Sequence, residues 1–220
     1  MRLESRRLWH LVAACTFALF ACIAAPAQAQ RLYDEFVLAV ANDRAGEVKA
    51  LLARGMDPDT VDKRGDPVLL VAARAGYRDT AKALLDAGAK ANQRNAYGDS
   101  AIMVAALNGH LELVQMLRER GAAVDGPGWT PLIYAATGGH DDVVAYLLQH
   151  GASIDAVSPN GTTALMMAVR EAHPTTVELL VSHGADVNHR NESGATALAW
   201  AERNGDRDLV ERLRRAGARR

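Results

Sequence analysis

The stretch GWTPLIYAATGGHDDVVAYLLQHGASIDAVSPN, residues 128–160, predicts two short helices followed by a turn-rich loop. Thr130 is a candidate N-cap, and the fixed φ and missing N–H of Pro131 suit the first turn of a helix. The glycine pair 138–139 ends this helix, and two aspartates then open a second helix at its positive end. Val and Leu residues give the second helix an apolar stripe, and Gly151 stops it in the left-handed conformation. The stretch therefore describes one helix-turn-helix unit.

The same unit recurs along the chain after residue 31. One series of glycines opens the units and another closes them, with a spacing of 33 residues at most steps. The opening series is Gly65, Gly98, Gly128, Gly161 and Gly194, and the closing series is Gly55, Gly88, Gly121, Gly151, Gly184 and Gly217. Two helices this short become stable only by stacking on neighbours. The sequence therefore predicts an all-α solenoid of six stacked helix-turn-helix units, over approximately 32–64, 65–97, 98–127, 128–160, 161–193 and 194–220.

The repeated unit resembles the ankyrin repeat. That family's pattern is Gly-x-Thr-Pro-Leu-His, then Ala-Ala, Gly-His and a closing Gly-Ala-Asp-Val-Asn, and it is matched most clearly at 130–132, 139–140 and 184–188. The resemblance covers residues 32–220. It implies a solenoid with short β-hairpin fingers and a concave side that binds proteins. The loop after Gly121 is three residues shorter than the others, so one finger should be truncated and leave a notch in the row.

The chain departs from the family pattern at the histidine of the opening motif. Leu70, Met103, Ile133, Met166 and Ala199 occupy that position, so we expect apolar contact to replace the hydrogen bonds that the imidazole makes in the family. The first unit lacks the opening signature and the last is rich in arginine, as expected of caps whose outer faces meet water.

The N-terminal segment differs in character from the repeats. Three arginines within the first seven residues precede an uncharged apolar run over 8–25, and small residues follow. This order predicts a secretory signal peptide over 1–29, cleaved after Ala29, which leaves residues 30–220 as an ankyrin-repeat domain in the periplasm. An uncleaved inner-membrane anchor and a lipid-bearing Cys15 are alternatives, and only these would bring the chain to a membrane. Secretion out of the cell is a further alternative.

Composition and motifs point away from catalysis and from nucleic acid. The formal net charge is −1, so composition implies no basic face. Both cysteines, Cys15 and Cys22, lie in the predicted signal, and no G-x-S-x-G elbow, phosphate-binding glycine loop or H-E-x-x-H pattern occurs. His110, His140 and His173 recur at the Gly-His position, where local turn bonding explains them. We therefore predict no enzyme activity, no cofactor and no metal.

The predicted binding residues come from two rows of the concave side, assigned position by position from the resemblance. Trp, Tyr and Arg dominate interface energetics, so we expect the contact to centre on Tyr97 and Trp129, on either side of the truncated finger. Three arginines on the helical row suggest an acidic partner, although a solubility face explains them equally well. The finger tips supply Lys63, Arg64, Asp66, Arg94, Tyr97, Asp99, Trp129, Val157, Pro159, Asn160, Arg190 and Glu192, and the helical row supplies Arg74, Asn108, Thr137, Arg170 and Arg203.

The resemblance, together with the predicted signal peptide, implies a monomeric, non-catalytic module that binds another protein in the periplasm. Protection of a periplasmic enzyme and neutralisation of an effector are both compatible with it. A secreted, host-directed effector and a membrane-tethered scaffold are the alternatives. Fold analogy alone does not separate these roles.

Overall fold

The computed structural model describes residues 28–219 of the 220-residue chain. Residues 1–27 of the predicted signal peptide lie outside the described residues, and Ala29 is helical and exposed. Twelve helices occupy the described part of the chain, in six consecutive pairs. They are α1 (28–41), α2 (Ala45–Ala53), α3 (Val68–Ala75), α4 (Arg78–Asp86), α5 (Ala101–Leu107), α6 (Leu111–Glu119), α7 (Pro131–Gly138), α8 (Asp141–Gln149), α9 (Ala164–Arg170), α10 (Pro174–Ser182), α11 (Ala197–Asn204) and α12 (Arg207–Arg215).

The first helices of the pairs begin and end at the residues that the sequence indicates. The side chain of Thr130 accepts a backbone N–H of the first turn of α7 at 3.3 Å, and Pro131 is the first residue of that helix. Gly139 follows with φ of 72°, a conformation that only glycine adopts without steric cost. Thr163 and Thr196 cap α9 and α11 in the same way. The repeated Thr positions are therefore helix caps.

The first helices of successive units stack directly on one another. α3 packs on α5, α5 on α7, α7 on α9 and α9 on α11, while α2, α4, α6, α8 and α10 form a second layer. The alanine pairs 72–73, 105–106 and 135–136 of the first helices are fully buried. Small side chains let neighbouring helices approach closely, so the buried residues join into one core that runs the length of the stack.

Apolar contact does replace the family's histidine in four units. Leu70, Met103, Ile133 and Met166 are each at most 1% exposed, as predicted. Ala199, at the same position of α11, is exposed. Its unit is the last one described, so no further helix pair covers it.

Three histidines bind neighbouring units together from the start of the second helices. The Nε2 atoms of His110, His140 and His173 lie 3.3, 2.9 and 3.0 Å from the carbonyl oxygens of Arg74, Leu107 and Thr137 in the preceding units. The bonding is therefore between units, whereas the sequence suggested a bond within one turn. Each ring also lies against the left-handed glycine of the preceding unit, as His140 does against Gly109.

A second series of hydrogen bonds crosses every boundary between units 1 and 6. In each of the first five units, an Asp or Asn side chain near the end of the unit accepts a backbone N–H from the next unit. Asp59, Asn92, Asp125, Asp155 and Asn188 accept from Lys90, Ala123, Ser153, Asp186 and Arg219 at 2.7, 2.8, 3.0, 2.9 and 2.8 Å. These bonds fix the register of successive units.

The expected β-hairpin fingers are not confirmed. Within residues 28–219 no strand forms, and the loops hold only two isolated antiparallel bridges, Val61 with Pro67 and Arg94 with Ser100. In several loops a side chain accepts backbone N–H groups two and four residues ahead and closes a tight turn. Backbone hydrogen bonds across these turns, such as those from Asp62 N–H to Asp66 and from Val68 N–H to Thr60, do not extend into a strand. We call them the first to fifth finger loops; they span 54–67, 87–100, 120–130, 150–163 and 183–196.

Candidate protein-binding surface

The predicted binding residues all lie on one side of the stack. They belong to the finger loops or to the first helices α3, α5, α7, α9 and α11 and their C-caps, and we call this surface the inner face. The second helices α4, α6, α8, α10 and α12 form the opposite surface, which we call the outer face.

Side-chain turns hold the finger loops in place. Asp62 Oδ1 accepts the N–H groups of Arg64 and Asp66 at 2.8 and 2.9 Å, and Asn191 Oδ1 accepts those of Ser193 and Ala195 at 3.1 and 2.9 Å. Such turns present the tip side chains from ordered backbone, which lowers the entropy lost on binding.

The third finger loop is the exception, because it lacks the turn residue. Asn92 and Asp125 hold equivalent positions in the series of hydrogen bonds between units. Gly98 and Gly128 are likewise equivalent, with left-handed φ of 85° and 82°. Five residues lie between Asn92 and Gly98, whereas two lie between Asp125 and Gly128. No residue of the third loop therefore corresponds to Asn95, whose side chain closes the turn of the second loop.

Asn95 also explains why Asp66, predicted as an exposed tip residue, is instead buried at 6% exposure. Asp66 accepts hydrogen bonds from Asn95 Nδ2 at 2.7 Å and from Arg74 Nη1 at 2.8 Å. Burial alone would raise the pKa of Asp66, but the hydrogen bonds from Asn95 and Arg74 outweigh it and hold the pKa below its ordinary value. Asp66 therefore ties two finger loops and a helix together.

Tyr134 takes over this role at the shortened loop. Asp99 is the counterpart of Asp66, and with no asparagine opposite it, it accepts the hydroxyl of Tyr134 at 2.5 Å. Burial and the bond to Asp99 both raise the pKa of Tyr134, so the hydroxyl keeps its proton and donates it. The Tyr134 ring also contacts Trp129 edge to face, with centroids 5.8 Å apart. Trp129 is consequently half-buried and held in place.

A cavity of about 250 Å³ lies between the second and third finger loops, where the sequence predicted a notch. Arg94 and Asn92 line it from the second loop, and Pro127 and Trp129 line it from the third. Met103, on α5, is also part of its lining. Tyr97 stands beside it at the tip of the second loop and is 86% exposed.

The remaining tip residues differ in whether contacts within the protein already engage them. Lys63 pairs with Asp34 at 3.1 Å, while Arg94 and Arg190 each donate to the carbonyl of a glycine in their own loop, at 2.7 and 2.9 Å. Arg64 lies 3.7 Å from the carboxylate of Asp62. The fourth and fifth loops expose Val157, Pro159, Asn160 and Glu192.

The helical row is mostly occupied by contacts within the protein. Arg74 is bound to Asp66, and Arg170 pairs with Glu171 at 2.8 Å. The guanidinium of Arg203 lies 5.9 Å from the ring centroid of Trp200. Asn108 and Thr137 donate to carbonyls of their own helices at 2.7 Å. Because two of the three arginines already face a carboxylate, this row gives little support to an acidic partner.

The structure thus brings Arg94, Tyr97, Asp99 and Trp129 together around the shortened loop. Sequence reasoning missed Tyr134. A signal for it was present, since Tyr134 occupies the position at which units 2 and 3 have valine, and it stands in the same unit as the deletion. Met103 was read as a core residue, and it is both core and cavity wall.

Residues 28–219 contain neither a metal-binding cluster nor a membrane-spanning helix. No cluster of three or more His, Cys, Asp or Glu side chains there is arranged to hold a metal ion. No helix in the same range has both the length and the apolar character that crossing a bilayer requires.

Comparison with known proteins agrees with this architecture. A family model described as ankyrin repeats (3 copies) matches residues 36–127, 69–158, 122–191 and 154–219, which together cover most of the chain. No curated protein gives a significant match. The chain belongs to the ankyrin-repeat family, whose repeats are protein–protein interaction modules.

Proposed function

We propose that this chain is a non-catalytic binding module of the periplasm, and that it holds a partner protein against its inner face. The observation that carries the proposal is the position of the exposed apolar side chains. Four large apolar residues are at least 40% exposed within residues 28–219, and Val61, Tyr97 and Val157 of these lie in finger loops. The fourth, Leu38, lies on α1. A soluble surface that concentrates apolar side chains in one row favours protein contact there.

None of these four exposed apolar side chains lies on the outer face, where several charges pair with one another. Asp86 on α4 binds both Lys82 and Arg120, and these bonds lower its pKa to about 2. Arg212 on α12 pairs with Asp208 and Glu178. A surface of mutually neutralised charges is well solvated and gives a partner little to bind.

The periplasmic location is supported by the N-terminal sequence. Basic residues, an apolar run and small residues ending at Ala29 are the order in which a secretory signal is built. The chain beyond Ala29 contains no cysteine. Its stability therefore does not depend on the redox state of the compartment.

The experiment is affinity capture from fractionated cells. A C-terminally tagged chain is expressed in its own host, its N-terminus is sequenced, and proteins that co-purify from the periplasmic fraction are identified by mass spectrometry. We expect an N-terminus at Gln30 and one stoichiometric partner. The partner should be lost from the double variant Tyr97→Ala, Trp129→Ala and kept by the outer-face variant Glu112→Ala.

Other outcomes assign the chain elsewhere. Recovery in the culture medium would support a secreted effector, and an intact N-terminus in the membrane fraction would support a tethered scaffold. The absence of any stoichiometric partner in the periplasmic fraction would overturn the proposal. The identity of the partner then separates protection of a periplasmic enzyme from neutralisation of an effector.

A further inference from the structure

We infer that the cavity between the second and third finger loops binds an extended segment of the partner, in which a bulky apolar side chain is next to a carboxylate. This inference rests on the proposed function and specifies the chemistry that the inner face recognises. It rests on the cavity walls, on the Arg94 guanidinium beside them and on the rigidity of both.

The cavity has the dimensions of a short piece of chain. It exists because the third finger loop is short: the stretch from Asp125 to Gly128 has three residues fewer than the equivalent stretch of the neighbouring loops. Its volume of about 250 Å³ is smaller than the pockets that enclose whole cofactors or drug-sized ligands. A single large side chain and its adjoining backbone suit it better.

The walls are largely apolar. Met103 forms part of the lining and is 1% exposed, and Pro127, Trp129 and Pro131 complete the apolar side. Filling such a space with a Leu, Met or Phe side chain removes apolar surface on both partners from water.

The charge at the rim favours a carboxylate. Arg94 is exposed, and within residues 28–219 its side chain donates one hydrogen bond, to the carbonyl of Gly98. Within residues 28–219 no carboxylate lies within ion-pair distance of it, in contrast to Arg74 and Arg170. Asp125 also lines the cavity, and its Oδ2 is already bound to the backbone N–H of Ser153. A carboxylate entering beside Arg94 would therefore make a new charge-assisted hydrogen bond.

The cavity walls are held before a ligand arrives. Tyr134 links Asp99 of the second loop to Trp129 of the third, through a hydrogen bond and an edge-to-face contact. Preorganised walls lose little conformational freedom on binding, so a short segment is enough for measurable affinity.

The test begins with selection of a random heptapeptide library on the immobilised protein, followed by titration of the selected synthetic peptide by calorimetry. We expect the selected peptides to share a Leu, Met or Phe within two residues of an Asp or Glu. Two variants close the cavity: insertion of Gln-Arg-Asn between Asp125 and Gly126, which restores the loop length, and Ala123→Trp. Either should weaken binding about tenfold or more, and circular dichroism identifies any variant that fails to fold.

Arg94→Gln should weaken the acidic peptide about tenfold, as expected for loss of one charge-assisted bond, and leave its amide analogue unaffected. The matched control is Arg190→Gln, because Arg190 makes the same bond to a glycine carbonyl in an intact loop. An unrelated set of selected peptides, or equal binding by the folded Ala123→Trp variant, overturns the inference. If that variant still captures the cellular partner, the proposed function stands and only the cavity's role is lost.

Discussion

Replacing Gly109 by alanine tests how the units are locked together. Gly109 has φ of 71° and lies directly under the ring of His140. A Cβ atom at this position would lie 2.4 Å from Nδ1 and 2.6 Å from Cε1 of that ring. The ring cannot retreat freely, because its Nε2 is 2.9 Å from the carbonyl oxygen of Leu107.

The expected cost has two parts. An alanine in the left-handed conformation costs about 1–2 kcal/mol wherever it occurs. Displacing the His140 ring adds about 1–3 kcal/mol through overpacking and loss of the hydrogen bond. Gly205→Ala supplies the matched control, because Gly205 has φ of 73° and nothing within 4 Å of the added Cβ. It should show the first part alone.

The assay is urea unfolding followed by circular dichroism for wild type, both glycine variants, His140→Ala and the double variant Gly109→Ala, His140→Ala. In the His140→Ala background Gly109→Ala should cost no more than the control, so the cycle should give a coupling of about 1–3 kcal/mol. Equal destabilisation by Gly109→Ala and Gly205→Ala, with no coupling, would refute the reasoning.

Three further predictions concern single residues. Tyr134→Phe should lower the free energy of unfolding by about 1–3 kcal/mol, since it leaves half-buried Asp99 without its donor, whereas the exposed Tyr97→Phe should leave urea unfolding unchanged. Asp66→Asn should destabilise the protein most above the ordinary carboxylate pKa of about 3.9. The difference in stability from wild type should shrink as pH falls through the lowered pKa of Asp66, and thermal unfolding across pH measures it. Ala136→Leu should cost about 1–3 kcal/mol in urea unfolding by overpacking a fully buried contact, and a neutral result would mean that the first helices are not closely packed.

The stack itself could be predicted from the sequence because its signals are local and repeated. Thr130, Pro131 and Gly139 fix the ends of one helix by cap chemistry and backbone conformation, and the two later units repeat the threonine cap. The inter-unit role of His140 was not predictable in the same way. Which carbonyl a ring reaches depends on how two units pack, and the sequence of one unit does not contain that distance.

The binding surface could be predicted only in outline. Position within the repeat assigns Tyr97 and Trp129 to finger loops, where the structure has them, and their role in binding stays a prediction. Asp66 was misplaced because its burial depends on Asn95, a residue 29 positions further along the chain. Tyr134 was missed because its partner, Asp99, belongs to the preceding unit. The β-hairpins are not confirmed, because the backbone pairing across the loops of residues 28–219 amounts to isolated bridges.

Site-specific photocrosslinking in living cells tests the central claim most directly. A benzophenone amino acid placed at Tyr97 samples the inner face, and the same group at Glu112 on α6 samples the outer face. Binding through the inner face predicts one discrete crosslinked product from position 97 and none from position 112. The same product from position 112, with none from position 97, would contradict the account.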